Sequence, residues 1–355
     1  MTRLRLRQRG DFGRSLGLLV ALGAMLLVLA IKTPHYFSIA NARIIGEEMA
    51  ELGIASTGTA LLMIAGYIDL SIGSLLSLTA VVSALMAAKI GVVPSLLLGV
   101  VLGAAIGFAN GLIVWRIRVS PLIVTLGGLT AIAGIANLIG QSSALLNVPA
   151  SFAKFGNLEP LSVPIAVWIM LGAFVAIRVV LRNTVLGRHI YAIGGNREAA
   201  VMAGLRVRRI VLGLFLFNGL IVGLAAVLTA SRFGTASPSF GVGFELQVIT
   251  AVLLGGVAFQ GGEGSALGVF LGVALITVIA SGLVSLGVNP FYTNIVQGSI
   301  LIVAVAIEQV VDEQRERHRR AVAMAAAMSE QSDVGDPRSL ARMVSPEPEV
   351  PRGGQ

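Results

Sequence analysis

Ala65-Gly66-Tyr67-Ile68-Asp69-Leu70-Ser71-Ile72-Gly73-Ser74 joins two long apolar runs through a single acid. A carboxylate at membrane depth costs roughly 2.5–3.5 kcal/mol on insertion scales and usually serves function. Asp69 stands where one run stops and the next starts. There its oxygens can accept backbone N–H bonds and cap the following helix. Direct contact with a solute is the other reading, and in a broken helix that lines a pathway the two coincide. Ser71, two residues on, shares the position.

The surrounding composition makes the flanking runs membrane spans. Hydrophobic residues form 55% of the 355 and charged residues 12%, about half the share in a soluble domain. Mean hydropathy is +0.88. Apolar runs cover 15–31, 50–68, 72–88, 92–115, 121–140, 162–181, 209–230, 245–260, 265–287 and 291–310. At about 20 residues per span these predict an all-α, polytopic membrane helix bundle of about ten transmembrane helices in a lipid bilayer. The first run follows five arginines like a signal peptide, but Lys32-Thr33-Pro34 stands where a small-x-small cleavage site would be, so it reads as an uncleaved span. Gly99, Gly103 and Gly107, like Gly268 and Gly272, recur every four residues, the spacing that lets helix backbones approach closely in lipid.

Arginine placement orients the bundle. An even number of spans puts both termini on one side. The basic N-terminus, Arg116 and Arg118, the loop from Arg182 to Arg209, and Arg315 to Arg320 all fall there. By the positive-inside rule that side is cytoplasmic. The domain reading is a cytoplasmic basic N-terminus at 1–14, a transmembrane region at 15–310 with a cytoplasmic loop at 182–209, and a cytoplasmic tail at 311–355. From Gln331 onward the tail is poor in apolar residues and holds several prolines, which argues for disorder. Topology accounts for the net charge of +8 without nucleic acid.

Several chemistries are excluded. With no cysteine, and with His35, His189 and His318 far apart, there is no disulfide, no metal-ligand spacing and no cofactor motif. None of the three lysines, Lys32, Lys89 and Lys154, lies in a G-x-x-x-x-G-K-[ST] loop, so ATP is not bound through a P-loop. No nucleophile–base pair, carboxylate relay or arginine ladder appears.

Three polar features remain. Besides the Asp69 segment there is Phe244-Glu245-Leu246-Gln247, where Glu245 opens a run and either favours the helix dipole or serves as a gate or ligand contact. The third is the polar stretch from Thr184 to Leu205, with Glu198-Ala199-Ala200 and a closing Gly204. It reads either as a helix docking on a partner protein or as a solvated cytoplasmic helix. Asn110, Thr125 and Asn294 are isolated in spans, where such residues more often join helices than bind ligands.

Taken in order, these elements resemble the permease subunit of bacterial ABC importers of the ribose/xylose type, over roughly residues 40–310. Ala65 to Ser74 resembles the family's G-G-I-D-L-S-V-G-S segment, and Ala109-Asn110-Gly111-Leu112 its A-N-G-L element. Pro121-Leu122-Ile123-Val124-Thr125-Leu126-Gly127 resembles P-x-I-V-T-L-G. Gly195-Asn196 through Glu198-Ala199-Ala200 and Gly204 resembles the segment that couples to the ATPase. Two departures are Tyr67 in place of the second Gly, and Gly262-Glu263-Gly264 where a basic residue often precedes the last Gly. The resemblance implies an ABC importer permease fold in a bacterial inner membrane. It also implies a second permease subunit (the same chain or another), a cytoplasmic ATP-binding cassette subunit and an extracytoplasmic substrate-binding protein. The expected cargo is a pentose or hexose; a nucleoside, polyol or branched-chain amino acid is the alternative within the fold, and an ion-coupled secondary transporter the alternative outside it. The implied coupling residues are Gly195, Asn196, Glu198, Ala199, Ala200 and Gly204. The pathway candidates are Asp69, Ser71, Asn110, Thr125 and Glu245. Because a binding protein would set the affinity, the permease needs only weak contacts, which suits spans poor in polar and aromatic residues.

Overall fold

The computed structural model describes residues 2–306 apart from 118, 142–145 and 290, together with 309, 310, 313 and 314. Met1–Ala304 forms one compact unit. Val305–Gln355 forms a second, and nearly all of the tail expected at 311–355 lies outside the described residues. Among those described, the chain is a helix bundle. In order it runs α1 (Thr2–Lys32), α2 (Ile39–Ile64), α3 (Ile72–Ile90), α4 (Val92–Ile117) and α5 (Pro121–Ile139). Then come α6 (Ala150–Gly156), α7 (Ile165–Asn183), α8 (Val185–Gly195), α9 (Arg197–Met202), α10 (Val207–Phe233), α11 (Phe244–Leu254) and α12 (Ala266–Ser285). A last apolar helix covers Phe291–Ala306. A two-residue antiparallel pairing, Leu146 with Ala236 and Asn147 with Thr235, is the only sheet among the described residues.

Each of the ten apolar runs holds a helix, so this is an all-α, multi-pass membrane bundle. Six helices, α3, α4, α5, α7, α10 and α12, are long and apolar enough to cross a bilayer, by length and composition. The run at 245–260 narrows to the eleven-residue α11, because Gly255 and Gly256, the latter at φ +81°, turn the chain away. The run at 50–68 differs the other way. Its helix α2 starts at Ile39 and carries Glu47, Glu48 and Glu51 in its first half. Glu47 and Glu48 lie in the stretch read as a loop before residue 50; a helix inside a protein bundle tolerates acids when neighbours supply partners, as Arg232 does for Glu47.

Helix packing follows the glycine spacing. On α4, Gly103 and Gly107 lie against Gly219 and Gly223 of α10, so the two backbones touch directly. Gly268 and Gly272 of α12 do the same against Gly255 and Ala251 at the end of α11. Such contact replaces the hydrophobic effect, which does not drive association within lipid. Around this seam the interior is built from α2, α3, α10, α11 and α12, while α4, α5 and α7 leave most of their apolar surface facing outward.

Substituting Gly103 with Val puts a side chain against the Gly219 carbonyl and within 2.8 Å of Gly223 Cα, where only backbone can yield. Overpacking of this kind costs roughly 1–3 kcal/mol, and Gly103→Val should lower the melting temperature in detergent. Gly127→Ala should not: a Cβ there meets nothing within 4 Å, and alanine favours the helix by about 1 kcal/mol. Equal melting of the two variants would contradict the seam.

Candidate functional site

The loop between α2 and α3 begins with a helix stop. Gly66, at φ +82°, takes the left-handed position after the C-cap Ala65. Its N–H donates to Met63 O and the Tyr67 N–H to Leu62 O, at 2.8 and 3.1 Å. This paired-bond ending needs glycine because other residues strain at that φ. The chain is then free to turn Asp69 into the bundle, where it is fully buried.

Asp69 accepts from its own loop and from α10, and α2 and α4 bond those partners in turn. Oδ1 accepts from the Ser71 N–H at 2.9 Å and the Ser71 hydroxyl at 2.6 Å. Oδ2 accepts from Asn218 Nδ2 of α10 at 3.2 Å. Asn110 of α4 donates to Ser71 Oγ at 2.8 Å, and Thr59 of α2 donates to Asn218 Oδ1 at 3.2 Å. The N–H that Asp69 accepts belongs to Ser71, the N-cap residue of α3, rather than to the first turn as expected of a helix cap. The acid therefore braces the turn that enters α3. Thr125 is fully buried beside it, donating to Pro121 O at 2.9 Å and lying 3.5 Å from Ile68 O.

Glu245 comes to the same place from the other side. It sits in the first turn of α11, as the sequence suggested, and its Oε2 packs against Gly73, in the first turn of α3. A Cβ on Gly73 would overlap that oxygen and the Gly241 carbonyl. Two carboxylates thus flank the N-terminus of α3, the end where the helix dipole favours negative charge. All five residues Asp69, Ser71, Asn110, Thr125 and Glu245 converge on one turn.

The segment from Thr184 to Leu205 folds as two helices. Thr184 caps α8 by accepting from the Gly187 N–H at 3.1 Å, and Asn196 caps α9 by accepting from the Ala199 N–H at 2.9 Å. Gly204, at φ +80°, closes α9 with the same paired bonds as Gly66: Leu205 N–H to Ala200 O at 3.1 Å and Gly204 N–H to Val201 O at 3.0 Å. Its Cβ position is open space, so only the backbone angle demands glycine. Ala200 is buried and anchors α9, whereas Glu198 and Ala199 are exposed, so the two alanines do not share a face. Val201 and Met202, 56% and 84% exposed, line an open groove of about 790 Å³ with Trp115, Arg197 and Glu198.

These two regions meet. A Cβ on Gly261 would fall 2.7 Å from Gly66 Cα and 3.1 Å from Gly194 Cα, so three backbones cross without side chains between them. Gly262 N–H donates to Ile64 O at 2.8 Å, and the Tyr191 hydroxyl of α8 donates to Gly264 O at 2.7 Å. Tyr67 packs edge-on against Phe215 and lines a cavity of about 180 Å³ with Trp115, Arg197 and Arg208. Gly195 lies against Gly262 in the same joint.

With this geometry described, similarity to known proteins places the chain. Residues 48–305 match the family described as branched-chain amino acid transport system / permease component, and the chain belongs to it. It is therefore a membrane transport permease component. It is 33% identical to the ribose import permease protein RbsC of Escherichia coli (strain K12) over 296 residues, 82% of this chain and 92% of that one. It is 32% identical to the L-arabinose ABC transporter permease protein AraH of Azospirillum brasilense over 300 residues, 84% and 88% of the two chains. RbsC of Bacillus subtilis (strain 168) is 32% identical over 299 residues, 83% and 93%.

Sequence reading missed Asn218, Thr59 and the acids of α2 with their partner Arg232, which pairs with Glu47 at 3.3 Å. Asn218 was findable: an asparagine amid an apolar run is the signal that singled out Asn110. Glu47 and Glu48 were hidden by starting the span at residue 50, and Glu51 was inside the span but not singled out.

Asp69→Ala strands the Ser71 N–H, the Ser71 hydroxyl and Asn218 Nδ2 together, and should cost roughly 3 kcal/mol or more. Asp69→Asn keeps Oδ1, and Asn218 can turn its oxygen toward the new amide, because the Thr59 hydroxyl can accept as well as donate. It should lose about 1 kcal/mol and keep much of its activity. Asn218→Asp, setting a second acid against the first, should melt as early as Asp69→Ala. Melting temperatures of the three variants in one detergent check the order; Asp69→Asn melting with Asp69→Ala would contradict it.

Proposed function

We propose that the chain is the permease subunit of an ABC importer of a monosaccharide, a pentose or hexose, energised by a separate ATPase subunit and fed by an extracytoplasmic binding protein. The observation that carries the reading is the α8–α9 element: an exposed, partly apolar surface at Glu198, Val201 and Met202, joined through Gly194 and Gly195 to the turn that holds Asp69. The sugar cargo is supported by two relatives, a ribose import permease and an L-arabinose permease. The family description gives branched-chain amino acids as the rival cargo.

On this reading the Arg-rich side is cytoplasmic and carries both termini, residues 1–14 and 311–355 included, in a bacterial inner membrane. The bundle at 15–310 pairs with a second permease subunit, and 182–209 is its coupling loop. The ATPase dimer grips the groove beside α9. Gly195, Asn196, Glu198, Ala199, Ala200 and Gly204 shape that contact: Asn196 and Gly204 fix the two ends of α9, Ala200 seats it, and Glu198 faces the partner. Closure of the ATPase dimer on ATP then pushes α8 against Gly66 and Gly261. The Asp69 turn, held by Ser71, Asn110 and Asn218 with Thr125 and Glu245 beside it, moves α3 and α10 together and so opens or shuts the route.

In proteoliposomes with the partner subunits, uptake of a labelled pentose should need ATP and survive a protonophore. Met202→Asp and Gly204→Val should each lower uptake and ATP hydrolysis together by about tenfold, while leaving the order of preferred solutes as in the wild type. Gly204→Asn should lose less, since Asn tolerates the left-handed backbone. Uptake that collapses with the ion gradient while ATP is present would overturn the reading, and a preference for leucine over every sugar would replace the cargo.

A further inference from the structure

Polar residues also gather at a second place in the bundle. At the end of α2 and α12 away from α8, a cavity of about 510 Å³ opens among α2, α11, α12 and the helix Phe291–Ala306. Ile64, which accepts from Gly262 at the α8 joint, and Glu48 are about 24 Å apart along α2. Glu48, Glu51, Gln247, Asn294 and Thr277 line the space, with the Phe240 ring among the apolar walls. Its volume falls in the roughly 300–1,000 Å³ range of small-molecule sites.

Some of the polar groups that line it have partners in the protein, and two hydroxyls have none. Arg232 of α10 pairs with Glu47 at 3.3 Å and so ties α10 to the acidic stretch of α2. Glu48 is exposed to the cavity. Thr277 adds a second observation, a feature it shares with Thr79 of α3. Hydroxyls inside helices ordinarily bond the carbonyl four residues back, as Thr125, Thr250 and Ser56 do here. Thr277 is 4% exposed, and its hydroxyl has no hydrogen-bond partner. The Thr293 hydroxyl, in the same wall, has none either. A buried hydroxyl without a partner is costly, and a bound molecule rich in hydroxyls would relieve that cost.

We propose that this cavity is a sugar site at the outer mouth of the permease, entered on release from the binding protein. Its ligand is a neutral, polyhydroxylated ring. The Glu48 and Glu51 carboxylates accept from hydroxyls of the sugar, the Gln247 and Asn294 carboxamides both donate and accept, Thr277 completes its bonding on the ligand, and Phe240 offers an apolar surface to the ring carbons. Two carboxylates turn away anionic solutes. The inference rests on the monosaccharide reading given above.

Thr277→Val and Glu48→Gln test it in the assembled transporter, with labelled ribose, arabinose, xylose and leucine as probes. Thr277→Val removes a hydroxyl that bonds nothing in the protein, so its melting temperature should equal or exceed the wild type. Its maximal pentose uptake at saturating binding protein should nevertheless fall about fivefold, and that of Glu48→Gln about tenfold. Capture of loaded binding protein by the complex should be unchanged. Pentose uptake at wild-type rates in both variants would overturn the site while leaving the monosaccharide reading intact. Uptake that falls only because binding-protein capture is lost would also overturn it, making this a docking face. A wild type that imports leucine and no pentose would overturn the reading and the site together.

Discussion

An ionisable group in an apolar bundle must be met by donors on every side, and Asp69 imposes that demand on four helices at once. Its oxygens are met by Ser71 at the start of α3 and by Asn218 of α10; Asn110 of α4 and Thr59 of α2 bond those partners in turn. No single helix can supply this set. The network therefore fixes the mutual height and rotation of α2, α3, α4 and α10, while the bare glycine seam between α4 and α10 fixes their separation. Apolar packing alone would leave such helices free to slide, since lipid competes equally for their surfaces.

The same constraint links α8 and α9 to the interior of the bundle. Gly66 ends α2 in the left-handed conformation, three residues before Asp69, and meets Gly194 and Gly261 backbone to backbone. A joint without side chains transmits displacement without the give of flexible rotamers. The end of α8 therefore abuts the turn that leads to Asp69, and the network joins that turn to α3 and α10. The polar cavity lies at the far ends of α2 and α12, where movement of these helices changes its shape.

Much of this was legible in the sequence, for identifiable reasons. Apolar run length, glycine spacing and the Asp69 break each report a local physical requirement, and each found its helix, seam or turn. Gly204 was read as a closing glycine, and its backbone angle bears that out. The joint between Gly66, Gly194 and Gly261 was not legible, because contacts across nearly two hundred residues leave no local trace. Nor was the polar cavity: its residues come from four separate helices, and Glu47 and Glu48 fell in the start of α2 that lay outside the apolar run. Among the polar residues of the spans, the fold brings one group to Asp69 and another to the cavity.

Trp115 offers a direct view of the joint. It lines both the groove beside α9 and the cavity that holds Tyr67, and Trp168 is the only other tryptophan in the chain. In Trp168→Phe protein assembled with its ATPase, Trp115 fluorescence reports on that contact alone once the partner subunits' own signal is subtracted. If α9 and the Asp69 turn move as one unit, ATP should shift the emission of Trp115 in step with uptake, and Asp69→Ala should abolish the shift. Emission that stays fixed while ATP drives transport would contradict the account.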